Sequence, residues 1–193
     1  MDRVVVAGLG NPGAEYAATR HNVGFLILES FLASRDAVLG DEARGVRVAR
    51  LQLGEIEVLL AEPQWFMNRS GPPLVELLDR ESVAPEALLV IHDDLDLAAG
   101  RLQMKHAGGT GGHRGLDSLV ESLGTEAFPR LRIGIGRPPP EMSVVDFVLA
   151  PYLASETEGV SETIARGTEA IALWSQSGTE SAMNIVNVRG KVP

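Results

Sequence analysis

Short apolar runs and helical stripes alternate along this chain, and they predict a regular succession of strands and helices. Residues 3–7 are a Val-rich run ended by glycine, the pattern of a buried strand. Residues 23–32 carry apolar side chains at helical spacing, with His21 and Asn22 at the mouth. Residues 46–53 and 56–61 alternate or run apolar about Gly54 and predict a hairpin. The pair Pro72-Pro73 predicts the start of a helix holding Leu74 and Leu78. A second buried strand, 88–91, delivers His92-Asp93-Asp94 at its C-terminal end. Residues 101–105 alternate like a strand and lead into a glycine-rich loop, 108–112. A helix over 113–123 and a strand over 131–135 follow. Ser155 with Glu158 three residues on predicts a capping box. It opens a helix whose apolar face is Val160, Ile164, Ile171 and Trp174 and which ends near Gly178.

Strands alternating with helices indicate an α/β fold: one domain over 1–193, a twisted mixed sheet with helices on both faces. Sites in such sheets form at the C-terminal ends of strands. Asn11, Asp93 and the loop after Lys105 are each expected at such an end, where they would converge.

Composition narrows the chemistry. The 193 residues are 45% hydrophobic, enough for a substantial core without staples. There is no cysteine, which excludes thiol catalysis, zinc-thiolate sites and disulfides. The Met1-Asp2-Arg3 start and its short apolar run are too brief for a signal peptide. No apolar run reaches the roughly 20 residues of a membrane helix. A cytoplasmic protein with no membrane role is the expectation. The net charge of −9 argues against a nucleic-acid partner, yet the charge is unevenly spread. Between Leu97 and Arg137 six basic residues stand against three acidic ones, a net +3, and the remainder is −12. A small basic patch on an acidic body is enough to grip a few phosphates.

Five motifs carry candidate chemistry, each with an ordinary structural alternative. Gly8-Leu9-Gly10-Asn11-Pro12-Gly13 matches the dinucleotide fingerprint by letter. It lacks the acid about 20 residues on at the end of a second strand, because Glu29 falls inside a predicted helix. Thr19-Arg20-His21-Asn22 puts polar residues at a helix entrance, and Phe66-Met67-Asn68 sets an amide beside an aromatic. His92-Asp93-Asp94-Leu95-Asp96 could hold a hard cation or simply be an aspartate-rich turn. Gly108-Gly109-Thr110-Gly111-Gly112-His113-Arg114-Gly115 could offer backbone N–H groups to an anion at a helix start, or be a surface loop.

Taken in order, these blocks together with residues 131–138 resemble the bacterial peptidyl-tRNA hydrolase family, over about residues 4–152. The resemblance implies cleavage of the ester between a peptide and the 3′ ribose of tRNA, with no metal or other cofactor. It implies His21 as general base on water, oriented by Asp93, with Asn68 donating to the carbonyl or oxyanion and Asn11 near the first peptide unit. Tyr16 and Phe66 match aromatic positions for the tRNA 3′ CCA end. Lys105 and Arg132 match basic positions for acceptor-stem phosphates. His113 and Arg114 fall at the substrate, although the family usually has asparagine where this chain has Arg114. Arginine lacks the amide's acceptor. Peptidyl-tRNA is the implied partner, and no obligate protein partner is implied. Two other classes fit parts of the sequence: a non-catalytic RNA-binding relative, and a metal-dependent phosphoesterase built on Asp93, Asp94 and Asp96.

Overall fold

The computed structural model describes residues 3–41 and 43–189, so the Met1-Asp2 start and the last four positions of the expected domain lie outside the described residues. Strand β1 (Arg3–Gly8) is followed by a 3-10 turn (Arg20–Asn22) and helix α1 (Val23–Ala33). The hairpin β2 (Val46–Leu53) and β3 (Ile56–Pro63) turns at Gly54, and α2 (Gly71–Glu81) starts on Pro72 and Pro73. Then come β4 (Leu88–Asp94), β5 (Leu102–Lys105), α3 (Arg114–Leu123), β6 (Arg130–Gly134), α4 (Val144–Leu149) and α5 (Thr157–Arg189).

The six strands form one mixed sheet in the order β2-β3-β1-β4-β6-β5. β3, β1, β4 and β6 are parallel, and the two outer strands run antiparallel to their neighbours. β1 and β4 lie centrally and are buried on both rows of side chains, so both sheet faces are covered. One cover is α1 packed on α5, the other α2 packed on α3. No helix among the described residues is long and apolar enough to cross a membrane.

Close approach of α1 to the strand ends sets the site. A Cβ added at Gly24 would lie 2.5 Å from Leu9 N, 2.6 Å from Ile91 O and 2.6 Å from Leu9 O. All three are backbone atoms, which cannot swing aside. His21, three residues before Gly24, is thereby placed against Asp93, two residues after Ile91. Gly24→Ala is therefore expected to lower unfolding stability by about 3 kcal/mol, read as a lower denaturant midpoint. An unchanged midpoint would show that this contact does not fix α1.

Three sequence expectations change, and the rejection of the dinucleotide motif stands. No helix opens within residues 8–13; the chain turns through residues 13–18, and α1 begins at Val23, so the dinucleotide resemblance is one of letters. Ser155 with Glu158 is not the cap: Ser155 lies inside a 3-10 turn (Ala154–Glu156), and the Glu156 carboxylate accepts from Leu153 N at 2.6 Å. The last helix does not stop near Gly178. It breaks there, with Gly178 at φ 76°, a left-handed conformation that glycine adopts cheaply, and resumes to Arg189. Trp174 Nε1 donates to Thr179 Oγ1 across the break at 2.9 Å. Resuming lets Asn187 clamp the edge strand β5, its amide paired with Met104 N (2.7 Å) and O (3.1 Å). Finally, β5 runs against β6, pairing Lys105 with Arg130. Lys105 thus lies level with Val90, three residues before Asp93, and the glycine-rich loop carries the chain back to the strand ends.

Candidate active site

The loop after β1 is held by side-chain amides. Asn22 is buried and brackets the backbone of Asn11: its Oδ1 accepts from Asn11 N and its Nδ2 donates to Asn11 O, both at 2.9 Å. Asn11 Oδ1 in turn accepts from Met67 N at 2.8 Å. That bond fixes the amide's orientation, so Asn11 offers its N–H₂ to the cavity. Arg20 is buried despite its charge. It donates to Pro151 O (2.9 Å) and Glu156 (2.6 Å), and its guanidinium lies over Phe147 (4.5 Å) and Tyr152 (5.2 Å). Arg20 therefore ties the turn bearing His21 to the segment that follows α4.

At the centre, His21 Nδ1 lies 2.9 Å from Asp93 Oδ1, and His113 Nε2 lies 2.9 Å from the same oxygen. Asp93 is 3% exposed. Burial acts to raise its pKa, but the charge and hydrogen bonds of His113 and His21 win and hold the carboxyl well below the usual carboxylate range. Facing a carboxylate, His21 Nδ1 must carry the proton, which leaves the Nε2 lone pair for chemistry. His92 is fully enclosed. Its Nδ1 donates to Asp93 O at 2.7 Å, and burial, then the neighbouring His113, push its pKa down to about 3. It stays neutral and steadies the backbone that carries Asp93.

These groups open on a cavity of about 550 Å³. All the residues expected at the site line it: Asn11, Tyr16, His21, Phe66, Asn68, Asp93, Lys105, His113, Arg114 and Arg132. Tyr16 and Phe66 meet edge to face at 6.2 Å, and Phe66 is more than half exposed. Asn68 is exposed, and its side chain has no hydrogen bond among the described residues. Val144, Val145, Val148 and Leu149 of α4 supply an apolar wall.

The basic stretch resolves into committed and uncommitted charges. Arg130 is buried on the carbonyls of Gly109 (2.8 Å) and Glu126 (3.2 Å). Arg132 pairs with Asp94 at 2.7 Å and also bonds Gln103, while Arg137 pairs with Asp96. Lys105 and Arg114 are exposed and make no ion pair among the described residues. Asp94 and Asp96 are thus turned to arginines and do not join Asp93 in a carboxylate cluster. The His21, Asp93 and His113 ligand atoms do lie within 4.8 Å of one another, a spacing a metal ion could use. Here, however, the two rings direct nitrogens at Asp93 rather than at a shared centre.

Sequence reading left Asn22, Arg20 and His92 out of the site although each stands inside a motif it singled out. Their signal was adjacency alone, since burial of a polar side chain is not visible in the residue string.

Comparison with known proteins shows the family. The family described as peptidyl-tRNA hydrolase matches residues 5–192. A peptidyl-tRNA hydrolase of Aquifex aeolicus is 40% identical over 187 residues, 97% of each chain. One of Moorella thermoacetica is 42% identical over 185 residues, 95% of this chain and 97% of that one. The crystal structure of peptidyl-tRNA hydrolase from Acinetobacter baumannii superposes with a TM-score of 0.89 at 35% identity, covering 96% of this chain and 95% of that one. With sequence matched over nearly the whole chain and fold matched to a solved member, the chain belongs to the peptidyl-tRNA hydrolase family.

Proposed function

We propose that this chain hydrolyses the ester joining an N-blocked peptide to the 3′ ribose of tRNA, with His21 as general base on water. The observation that carries the reading is His21 itself, whose Nδ1 is fixed on Asp93 and whose ring lines a cavity shared with two amide donors. His21 Nε2 takes a proton from water as the water oxygen attacks the ester carbonyl carbon. The carboxylate of Asp93 stabilises the imidazolium that forms. The amide N–H₂ of Asn68, which lines the same cavity, receives the developing oxyanion, and that of Asn11 the first peptide carbonyl. Collapse of the tetrahedral intermediate breaks the bond to the ribose 3′ oxygen, which takes the proton from the imidazolium. Chemistry of this kind requires no metal or other cofactor.

Tyr16 and Phe66 offer ring faces for the bases of the CCA end. The apolar α4 wall suits the peptide. Arg114, exposed at the start of α3, stands at the rim as a donor with no acceptor. The setting for such a reaction is the cytoplasm, where translation leaves these esters behind, and no protein partner is required.

N-acetyl-aminoacyl-tRNA and unblocked aminoacyl-tRNA should be assayed side by side with and without EDTA. Cleavage of the blocked substrate alone, unchanged by EDTA, is expected. Loss of activity in EDTA would favour a metal hydrolase, and no cleavage at all would favour a non-catalytic RNA binder.

Phosphate contact is proposed for Lys105, whose charge is unopposed, and for Arg132, which must share its guanidinium with Asp94. Lys105→Ala is expected to weaken all tRNAs alike and reduce the salt slope of affinity by about one. Arg132→Ala should weaken binding at least as much, because it also leaves the Asp94 carboxylate facing the groove uncompensated. Unaltered slopes in both variants would move the tRNA site elsewhere.

A further inference from the structure

His113 was expected to touch substrate, yet both of its ring nitrogens are already engaged. Nδ1 lies 3.2 Å from Gly115 N and 3.3 Å from Leu116 N, two of the free N–H groups in the first turn of α3. Two donors facing one ring nitrogen require a lone pair there. The proton of the neutral ring must then sit on Nε2, which faces Asp93 Oδ1 at 2.9 Å. Charging the ring would aim a second N–H at the positive end of the helix. We propose that His113 is a positioning residue: α3 locks it as the Nε2–H tautomer, and its standing donation to Asp93 sets how firmly that carboxylate holds the His21 proton. The inference rests on His21 being the base.

Both rings bond the same oxygen, so they divide its charge. With the His113 donor in place, part of the Asp93 lone-pair density is taken up before His21 is protonated. Without it, the whole carboxylate charge would act on the His21 imidazolium and retain its proton to higher pH. The other charged or titratable groups nearby are otherwise occupied. Arg20 is turned to Glu156 and Asp94 to Arg132. His92 is kept neutral, and burial, with Asp93 close by, holds the Tyr152 phenol in its protonated form. Tyr16 and Arg114 line the cavity but bond neither ring.

Two substitutions separate the two ring nitrogens. An asparagine side chain places its oxygen near the Nδ1 position and is a preferred cap, but has no donor long enough for Asp93. A glutamine places its amide nitrogen near Nε2 and surrenders the cap. His113→Asn is therefore expected to move the acid limb of the kcat/KM profile upward by about half to one pH unit, with little change in Tm. His113→Gln is expected to keep the limb in place and lower Tm by about 2–4 °C. Long-range ¹H–¹⁵N spectra of the full chain report the tautomer directly and do not depend on activity. They should show His113 Nε2 protonated and Nδ1 bare throughout the active pH range. A protonated Nδ1, or a folded His113→Asn with an unmoved acid limb while His21→Ala is inactive, overturns the inference. Activity persisting in His21→Ala would instead overturn the general-base reading and leave the tautomer result standing.

Discussion

His21→Ala is expected to lower single-turnover hydrolysis of an N-blocked aminoacyl-tRNA by about 10³-fold, while tRNA affinity changes less than about twofold. The rate loss is the usual contribution of a positioned base, roughly 10² to 10⁴. Binding should survive because the turn does not depend on the imidazole. Its backbone is fixed by Thr19, whose hydroxyl donates to Tyr16 O at 2.8 Å, by Arg20 on Pro151 O and by Asn22 on Asn11. The ring itself touches Asp93 and lies 5.0 Å from the His113 ring. If His21 merely braced the fold, the variant would lose thermal stability and affinity together with rate. More than a tenth of wild-type turnover in a folded His21→Ala protein would remove His21 from the chemical step.

Much of this arrangement is written locally in the sequence. β1, the β2-β3 hairpin and β4 follow from short apolar runs, and α1 from a helical stripe, because burial of a face imposes its period on the chain. What was not legible is relational. The reversed direction of β5 depends on a partner strand far along the chain, so the route from Lys105 back to His113 could not be seen. α4 spans six residues, too short for a helical period to show, and its residues split between cavity wall and core. Ser155 lost the capping role to Leu153 and Glu156 because Arg20 pulls the Glu156 carboxylate into that turn across 136 positions of sequence. The same holds at the centre of the site. His113 was visible as a histidine opening a helix, but its hydrogen bonds depend on β4 delivering Asp93 beside the start of α3.

Asp93→Asn tests the centre of the site more sharply than deletion would. Both histidine bonds converge on Oδ1, so an asparagine with its oxygen in that place retains the contacts and loses the charge. The wild-type carboxyl is held far below its unfolded value near 3.9, so it is ionised, and stabilising, at any pH above that value. That contribution would fade only as pH falls through the depressed folded value. Throughout the catalytic range Asp93 is therefore an anion, and its neutral replacement withdraws the partner of the developing imidazolium. Turnover should fall by roughly 10²-fold, since each 1.4 kcal/mol of lost transition-state stabilisation is about tenfold in rate. The acid limb of the profile should move down by at least about one pH unit, because the protonated ring has lost its counter-charge. His113→Asn should move the same limb up, since it returns charge to the carboxylate rather than removing it. Opposite displacements from two neutral substitutions around one oxygen are hard to obtain from loosened packing, which would blunt both profiles alike. A folded Asp93→Asn protein whose acid limb stays at its wild-type position would show that Asp93 aligns His21 without governing its proton.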